Sequence, residues 1–386
     1  MTTRIAFTGD FCPIGRLDGP VRAGEALDLF PGVPEFFQSC DLVVMDLECP
    51  LTDAGDPITK TGPHLRGAPM AAELLKNLGC GLVATANNHF MDFGWRGAQA
   101  TYAALEKHGI GWVGSGASMA HAARYGLVER NGLKLAFLNM TETEWSTTHG
   151  AEPGCCPIDY PTALREVANA RAAADFVFVI LHGGHEHYAL PSPRMQRQFR
   201  FMIDAGADAV IGHHTHIISG YERYRGKPIF YSLGNFCIDD PSRRGGPWNQ
   251  GLVLVLEVAD DKPIGFSLHP FLQNDLDPGS RLLAGDERLK LLARIEELAE
   301  TISNENALAA AFNDFCRAKA SVARSQIQPY RNRVLLALHR RGLLPSLIGR
   351  RKRQLLAALC QCESHREVLL YALREHPTTS NRPQPE

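Results

Sequence analysis

Carboxylate, amide and imidazole side chains directly follow several short apolar runs of this sequence. Runs at residues 5–7, 42–45, 82–86, 176–181 and 209–211 lead to Asp10, Glu48, Asn88, His182, His214 and His216. Ligands of open α/β sheets lie beyond the carboxyl ends of the strands, so groups at five such ends can converge. Two imidazoles two residues apart in an extended segment point the same way, and they are poor neighbours unless a metal joins them. The pattern predicts a metal site built from these six residues.

Each of these residues also has a plain structural interpretation when it is taken alone. A Gly-Asp pair such as Gly9-Asp10 commonly makes a turn, and Asn87-Asn88 has ordinary turn chemistry. An isolated histidine after a strand commonly caps an element or fills the core. The joint occurrence of the six side chains, and not any one of them, favours the metal site.

The predicted ligands are oxygen and nitrogen atoms, with no obvious thiolate cluster. Such a set suits Mn, Zn or Fe better than Ca, and six candidates exceed the three or four ligands of a single catalytic zinc. We therefore expect two divalent metal ions that share a bridging carboxylate and a bridging hydroxide. The hydroxide would be the nucleophile, because metal binding lowers the pKa of water toward ~7.

Other side chains near these motifs are candidates for proton transfer and substrate binding. His89 follows Asn88 and could act as a general acid or clamp the leaving group, and Asp92 could orient it or instead cap a following helix. Three cations in neighbouring loops, Lys60, Arg66 and Arg96, would bind an anionic substrate. The alternative is that these three are solvated surface charges.

The pattern of apolar residues predicts the elements that position these groups. Short runs rich in β-branched residues predict strands at residues 5–7, 42–47, 82–86, 133–138, 176–181, 209–211 and 229–232. Helical patterns lie between them at residues 68–78, 97–108, 161–174 and 193–205. Asn131-Gly132 and Arg225-Gly226 indicate hairpins, and residues 252–258 and 266–269 predict a final antiparallel pair. These elements indicate an α/β fold with a mixed sheet or two packed sheets.

The remaining sequence predicts a helical C-terminal region. Residues 285–375 are rich in Leu, Ala, Arg and Glu at helical spacing, which predicts three to five helices after about residue 280. Residues 376–386 are predicted to form a disordered tail. Arg350 to Arg353 form a basic run that is either a solvated helix face or a contact for a partner, a nucleic acid or a membrane. The predicted domains are therefore residues 1–275 and 280–375.

Composition restricts the class of protein. The chain has 386 residues, 45% of them hydrophobic, and a net charge of −2, so its total charge does not demand nucleic acid or an anionic membrane. Ten scattered cysteines are typical of reduced thiols. The N-terminal residues show no signal-peptide core, and no apolar stretch reaches the ~18–20 residues of a membrane helix, which predicts a cytoplasmic protein.

Six motifs, in order, resemble those of the CapA family of poly-γ-glutamate and capsule biosynthesis proteins. They lie at residues 8–10, 46–48, 86–89, 182–186, 212–216 and 231–236, within a resemblance that covers residues 3–270. That family is similar to calcineurin-like metallophosphoesterases. The resemblance implies a metallophosphoesterase-like two-sheet sandwich flanked by helices, to which the C-terminal helical region is appended.

The resemblance also implies roles for individual residues. Asp10 and His216 would hold one ion, Glu48 would bridge, and the second ion would be held by Asn88, His182 and His214. Cys12 stands where phosphoesterases have a histidine, so either it is an extra candidate ligand or the first ion site is weaker or absent. Glu186 is a candidate for substrate binding, and its neighbours His185 and His187 either support the ligands or lie at the surface. Asn235 is a candidate for substrate binding or for support of the ligands.

Two functions remain open from the sequence. One is a divalent-metal-dependent hydrolase of a phosphoester, or of the amide of a glutamate-type polymer. The other is a non-catalytic accessory subunit that binds polymer or a partner in a synthesis complex. An anionic polymer or a phosphoester is the expected substrate, and a membrane or a synthase is a candidate partner. The near-zero net charge and the lack of an aromatic stacking pattern argue against nucleic acid.

Overall fold

The computed structural model describes residues 2–260, 262–330 and 332–374, so the predicted tail at 376–386 lies outside the described residues. The strands, in chain order, are β1 Thr3–Cys12, β2 Leu42–Leu47, β3 Cys80–Ala84, β4 Gly111–Val113, β5 Ser115–Gly116, β6 Gly126–Arg130, β7 Leu133–Thr141, β8 Gly154–Cys155, β9 Phe176–His182, β10 Ala209–His213, β11 Tyr221–Tyr224, β12 Lys227–Phe230, β13 Asn235–Ile238, β14 Gln250–Val258, β15 Gly265–Gln273 and β16 Ser280–Leu282. The helices are α1 Asp18–Ala23, α2 Val33–Gln38, α3 Ala71–Asn77, α4 Gly94–Lys107, α5 Met119–Ala122, α6 Tyr160–Ala173, α7 Pro193–Ala205, α8 Gly285–Ser303, α9 Glu305–Gln326, α10 Arg333–Arg340, α11 Arg350–Gln361 and α12 Glu363–Arg374.

The strands form two large sheets. One sheet has the order β16-β15-β14-β1-β2-β3-β4, and β13 pairs with the second half of β1. The other has the order β11-β12-β10-β9-β7-β6. Strands β1 to β4 are parallel to one another, and so are β7, β9, β10 and β12. Because parallel strands end on the same side, each sheet presents one edge where several carboxyl ends meet.

Apolar side chains pack the two sheets face to face. Phe7 of β1 meets Phe137 of β7 and Phe178 of β9, with ring centroids 6.2 and 6.0 Å away. Each buried aromatic ring of this kind contributes roughly 1.5–3 kcal/mol. The predicted α/β class and two-sheet arrangement are confirmed.

Helices cover the outer face of each sheet. Phe37 of α2 and Leu75 of α3 pack on the outer side of the first sheet, and Val167 of α6 and Phe199 of α7 pack on the second. Each of these helices buries one stripe of apolar residues, as expected of an amphipathic helix on a core. The helix flanks of the predicted sandwich are therefore confirmed.

The turn residues acted as predicted, and some strand ends moved. Asn131 has φ 53° and Gly132 φ 81°, the left-handed pair that a type I′ hairpin requires, and it joins β6 to β7. β3 ends at Ala84, two residues earlier than predicted. The reason is that the Ala86 amide donates to the side chain of Asn139 instead of to a neighbouring strand.

The chain divides into two compact units, one ending at Phe312 and the other beginning at Asn313. The first unit includes α8, whose Leu291 and Ile295 are buried with the inter-sheet core. The described residues after 280 form five helices, at the upper end of the predicted number. None of the described helices is long and apolar enough to cross a membrane.

Candidate metal centre

The six predicted ligands come together where the two sheets end side by side. The first sheet supplies Asp10 from β1, Glu48 just after β2 and Asn88 beyond β3, while the second sheet supplies His182 at the end of β9 and the segment after β10. All six side chains are buried. The strand ends therefore converge as the sequence predicted.

Distances between polar atoms show how closely these groups meet. His216 Nδ1 lies 3.3 Å from Asp10 Oδ2, and its Nε2 lies 3.5 Å from Glu48 Oε1. His182 Nε2 lies 3.1 Å from Asn88 Oδ1 and 3.2 Å from His214 Nδ1. Groups of oxygen and nitrogen atoms this close can share one or two cations.

Two glycines allow the loop before β13 to reach this site. A Cβ on Gly9 would lie 2.0 Å from the Gly234 carbonyl oxygen, and the Asp10 amide donates to that same oxygen at 3.0 Å. Gly234 itself has φ 69°, which favours glycine. This close approach places Asn235 beside the cluster, where its Oδ1 lies 2.9 Å from His216 Nδ1.

The turn that follows β10 differs from the extended segment that the sequence predicted. We expected His214 and His216 on one side of an extended segment, but their φ angles are 94° and 59°, in the left-handed region. The two rings still converge, with centroids 6.0 Å apart. Left-handed backbone at residues other than glycine costs of order 1–3 kcal/mol and occurs preferentially at functional sites.

Two buried residues of the cluster escaped the sequence analysis. Asp46, in β2, lies 3.3 Å from His182 Nδ1, and His213, the last residue of β10, lies 2.9 Å from Asp10 Oδ1 through its Nδ1. The alternation of Asp46 with Glu48 was the available signal for the first. His213 was not singled out because His214 and His216, close by in the sequence, already accounted for the metal-site pattern.

Burial leaves several carboxylate oxygens without hydrogen bonds. Among the described residues, neither oxygen of Asp46 nor either oxygen of Glu48 has a hydrogen-bond partner. Burial raises the pKa of Asp46 to about 8 and the pKa of Glu48 well above its usual range. An unpartnered buried carboxylate is costly, and a divalent cation among these oxygens would remove the cost. The residues present therefore fit a metal site.

The histidines divide into two electrostatic kinds. Burial lowers the pKa of His182 and of His214 to about 3, so these rings are neutral, the form that binds a metal. Burial also lowers the pKa of His216, but the carboxylates of Glu48 and Asp10 outweigh it and raise the value to about 10. A proton on His216 partly neutralises the carboxylates, and a metal ion would take its place.

His89 and Asp92 form a separate buried group with Lys60. His89 Nδ1 lies 2.8 Å from Asp92 Oδ2 and 3.2 Å from Lys60 Nζ, and Lys60 also donates to Asp92 Oδ1. The Leu65 amide donates to Asp92 as well, at 2.7 Å. The Lys60 side chain is only 2% exposed. Its charge therefore faces Asp92, whereas the sequence predicted a cation that contacts substrate or solvent.

The other predicted residues lie in varied surroundings. Arg66 and Arg96 are exposed, and Arg66 stacks on Phe93 with its guanidinium carbon 4.8 Å from the ring centroid. Glu186 is exposed and pairs with His187 at 3.7 Å. The thiol of Cys12 packs in a small apolar cluster, where burial and Cys49 raise its pKa and disfavour the thiolate that binds metals.

Comparison with known proteins decides the family. The profile of the family described as "Bacterial capsule synthesis protein PGA_cap" matches residues 4–240, more than half of the chain. This chain belongs to that family. The predicted membership of the CapA family is confirmed, since the chain is 32% identical over 239 residues to the "PGA biosynthesis protein CapA" of Bacillus subtilis (strain 168), which covers 61% of this chain and 63% of that protein.

Further relatives extend this family match. A Mycobacterium tuberculosis (strain CDC 1551 / Oshkosh) protein named "probable polyglutamine synthesis accessory protein" is 32% identical over 238 residues, 58% of this chain and 60% of that one. The match thus spans less than two thirds of the length of either curated relative. A hypothetical protein from Thermus thermophilus has a similar structure, with TM-score 0.44, 17% identity and coverage of 70% of this chain and 99% of that one.

Proposed function

We propose that this capsule-synthesis family member is a divalent-metal-dependent hydrolase, which cleaves a phosphoester or the amide of a glutamate-type polymer. The names of its relatives, which refer to PGA biosynthesis and polyglutamine synthesis, support a polymer-related substrate. The buried cluster of acids and histidines supports metal-dependent chemistry. The substrate is therefore expected to be an anionic polymer or a phosphoester.

One observation carries the proposal: Asp46 and Glu48 keep four buried carboxylate oxygens without hydrogen bonds among the described residues. Most buried polar groups of folded proteins are hydrogen-bonded, so four such atoms in one place need an explanation. The nearby His182 and His216 rings approach these oxygens at 3.3 and 3.5 Å without making hydrogen bonds to them. A cation-binding role accounts for them directly.

The proposed ligands distribute over two ions of the Mn, Zn or Fe type. Asp10 and His216 would hold one ion, Asn88, His182 and His214 would hold the other, and Glu48 would be a ligand shared by both. His213, which contacts Asp10, and Asn235, which contacts His216, would orient these two ligands, as hydrogen-bond partners of metal ligands commonly do. When bound, such ions supply Lewis acidity and activate water at neutral pH.

His89 is the proposed proton donor to the leaving group. Because Asp92 and Lys60 both contact Nδ1, the ring presents Nε2 for proton transfer. Asp92 holds the ring in one orientation, and Lys60 balances the charge of that carboxylate. A well-placed general acid commonly contributes 10²–10⁴-fold to the rate.

The test is turnover of bis-p-nitrophenyl phosphate and of a γ-glutamyl p-nitroanilide by metal-free protein reconstituted with Mn²⁺. We expect turnover of at least one of them, and a loss of roughly 100-fold or more in His89→Ala, with its metal content unchanged by elemental analysis. The matched control is His149→Ala, because His149 is exposed. Turnover unaffected by His89→Ala would reject its role as acid.

The alternative function is that of a non-catalytic accessory subunit that binds polymer or a synthase partner. The name of the mycobacterial relative favours it. In that case the metal would still bind at Glu48 and stabilise the fold, but neither substrate would be turned over. Binding of poly-γ-glutamate that is lost in Glu48→Gln would then support the accessory role.

A further inference from the structure

The C-terminal unit differs sharply in charge from the chain as a whole. The complete chain has a formal net charge of −2, but residues 313–374 contain 13 Lys and Arg residues against three Asp and Glu residues. The near-zero net charge of the whole chain is therefore the sum of a strongly basic C-terminal unit and an acidic remainder. Such a local excess of positive charge attracts anionic partners, whatever the total charge is.

The same unit exposes large apolar side chains. Nine of them lie after residue 332 and are between 39 and 71% exposed: Val334, Leu335, Leu343, Leu347, Leu355, Val368, Leu370, Tyr371 and Leu373. Among the residues 313–330 and 332–373 whose burial is described, the buried ones are only Ser325, Gln328 and Ile348. Most leucines of this unit are thus not buried in a core, and so many exposed large apolar side chains in a short segment are typical of an interaction site.

Charge and apolar character occur together on individual helices. Helix α11 begins with four exposed cations, Arg350 to Arg353, and continues into Leu355 and Leu356. No described carboxylate lies within 4.0 Å of those four cationic groups. Positive charges in the first turn oppose the helix dipole, so this arrangement is favourable only beside an outside anion.

The positive charge and the exposed apolar side chains together indicate which kind of partner binds the C-terminal unit. A second copy of the chain would bring two strongly basic surfaces together, which electrostatic repulsion opposes. A nucleic acid or a glutamate polymer would satisfy the cations but leave the leucines in water. A bilayer with anionic headgroups satisfies both, since basic side chains meet the headgroups while leucine, valine and tyrosine enter the interface.

We propose that residues 333–374 form a peripheral docking surface for an anionic lipid bilayer. The basic run at 350–353 contacts the headgroup phosphates, and the exposed apolar side chains of α10, α11 and α12 insert at the boundary with the acyl chains. This surface works by interfacial binding and does not require a spanning helix. The inference is independent of the proposed hydrolase activity.

The test is co-sedimentation of the full-length chain with sucrose-loaded vesicles of phosphatidylglycerol mixed with phosphatidylcholine, and with vesicles of phosphatidylcholine alone. We expect binding to the anionic vesicles and at least about tenfold weaker binding to the neutral ones, because each Lys or Arg near the surface adds substantially to binding. Binding should weaken with added salt but not vanish, because the apolar contribution is insensitive to screening.

Two variants separate the charged and the apolar contributions. Replacing Arg350, Arg351, Lys352 and Arg353 together by Gln is expected to weaken binding to anionic vesicles at least about tenfold. Replacing Val334, Leu355 and Val368 by Gln should weaken vesicle binding but leave binding to poly-L-glutamate or DNA unchanged. All of these positions are exposed, so folding is preserved, and circular dichroism checks it.

The matched control removes the same number of positive charges outside the basic unit. Lys76, Lys107, Lys134 and Lys290 are exposed, and their replacement by Gln should leave vesicle binding unchanged. The proposal is overturned if wild-type protein ignores anionic vesicles. It is also overturned if the Gln variants at 350–353 bind vesicles as well as wild type does, or if binding to poly-L-glutamate or DNA is tighter than binding to vesicles and does not need the apolar residues.

Discussion

Glu48 is the residue on which the metal proposal depends most. Its carboxylate is fully buried beside Asp46 and Asp10, within 3.5 Å of His216 and 3.9 Å of His182. His216 offsets a charge on this carboxylate only in part, so the charge destabilises the folded protein, and burial accordingly raises the pKa of Glu48. On the proposed function, the folded protein is therefore less stable without metal than with it.

Neutralising Glu48 should therefore have opposite effects with and without metal. We expect Glu48→Gln to stabilise the metal-free protein, because it removes a buried carboxylate that burial disfavours. The same variant should lose most of the stabilisation that added Mn²⁺ gives to wild type. Thermal unfolding with EDTA and with Mn²⁺ measures both. Destabilisation of the metal-free variant would show that Glu48 has a purely structural role.

Lys60 is predicted to act through Asp92 and His89. Lys60→Met keeps the length of the side chain but removes its charge, so we expect kcat to fall roughly 10–100-fold, as for other partners that orient a functional group. The KM and the metal content should change little. Lys76→Met, at an exposed lysine, is the control. A change in KM with an unchanged kcat would instead support the direct substrate contact first predicted for Lys60.

The approach of β13 to β1 explains why the site needs glycine at position 9. Gly9→Ala would place a methyl group against the Gly234 carbonyl, and overpacking of this kind costs typically about 1–3 kcal/mol. The shift would also displace Asn235 from His216, so we expect weaker metal binding in a titration with Mn²⁺. Gly19→Ala is the control, since a Cβ there meets nothing within 4 Å. Equal behaviour of the two variants would contradict this explanation.

The positions of the strands and of their polar ends could be predicted from the sequence. Short β-branched runs buried on both faces leave few alternatives, and Asp10, Glu48 and His182 follow such runs at once. The left-handed turn at His214 could not be predicted, because nothing in the local pattern distinguishes it from an extended segment. It depends on contacts with Asp10, which is 204 residues away.

The pairing of Lys60 with Asp92 shows a second limit of the sequence. Lys60 lies in a loop rich in Gly, Pro and Asp, a composition typical of solvated surface. The loop is instead held down by hydrogen bonds such as that from the Ile58 amide to the Asp92 carbonyl at 3.0 Å. Side-chain burial in loops depends on such long-range contacts. For this reason Lys60, predicted to bind substrate, instead contacts Asp92 and His89.

The two units of the chain differ in how they are stabilised. The first has extensive cores between and outside its sheets, whereas few of the described residues 313–374 are buried. The domain boundary predicted near residues 275–280 stays a prediction about the organisation of the protein. The compact first unit nevertheless continues through α8 to Phe312.

This difference predicts unequal protection of backbone amides. Local opening requires little free energy where few apolar contacts are broken, so amides of α10, α11 and α12 should exchange with deuterium far faster than those of β1 and β9. Hydrogen exchange followed by mass spectrometry measures the rates. Anionic vesicles should slow exchange in these helices alone. Equal protection in both units without vesicles would show that the C-terminal helices are as firmly packed as the sheets.

Crystals of the protein grown with Mn²⁺ test the central claim most directly, through anomalous diffraction at a wavelength where manganese scatters. We expect strong anomalous density beside Glu48, at roughly 2.0–2.3 Å from ligand atoms of Glu48 and the clustered histidines. A second peak is expected beside Asn88 and His182. Density that is absent there, or present only at the surface, would contradict the metal centre.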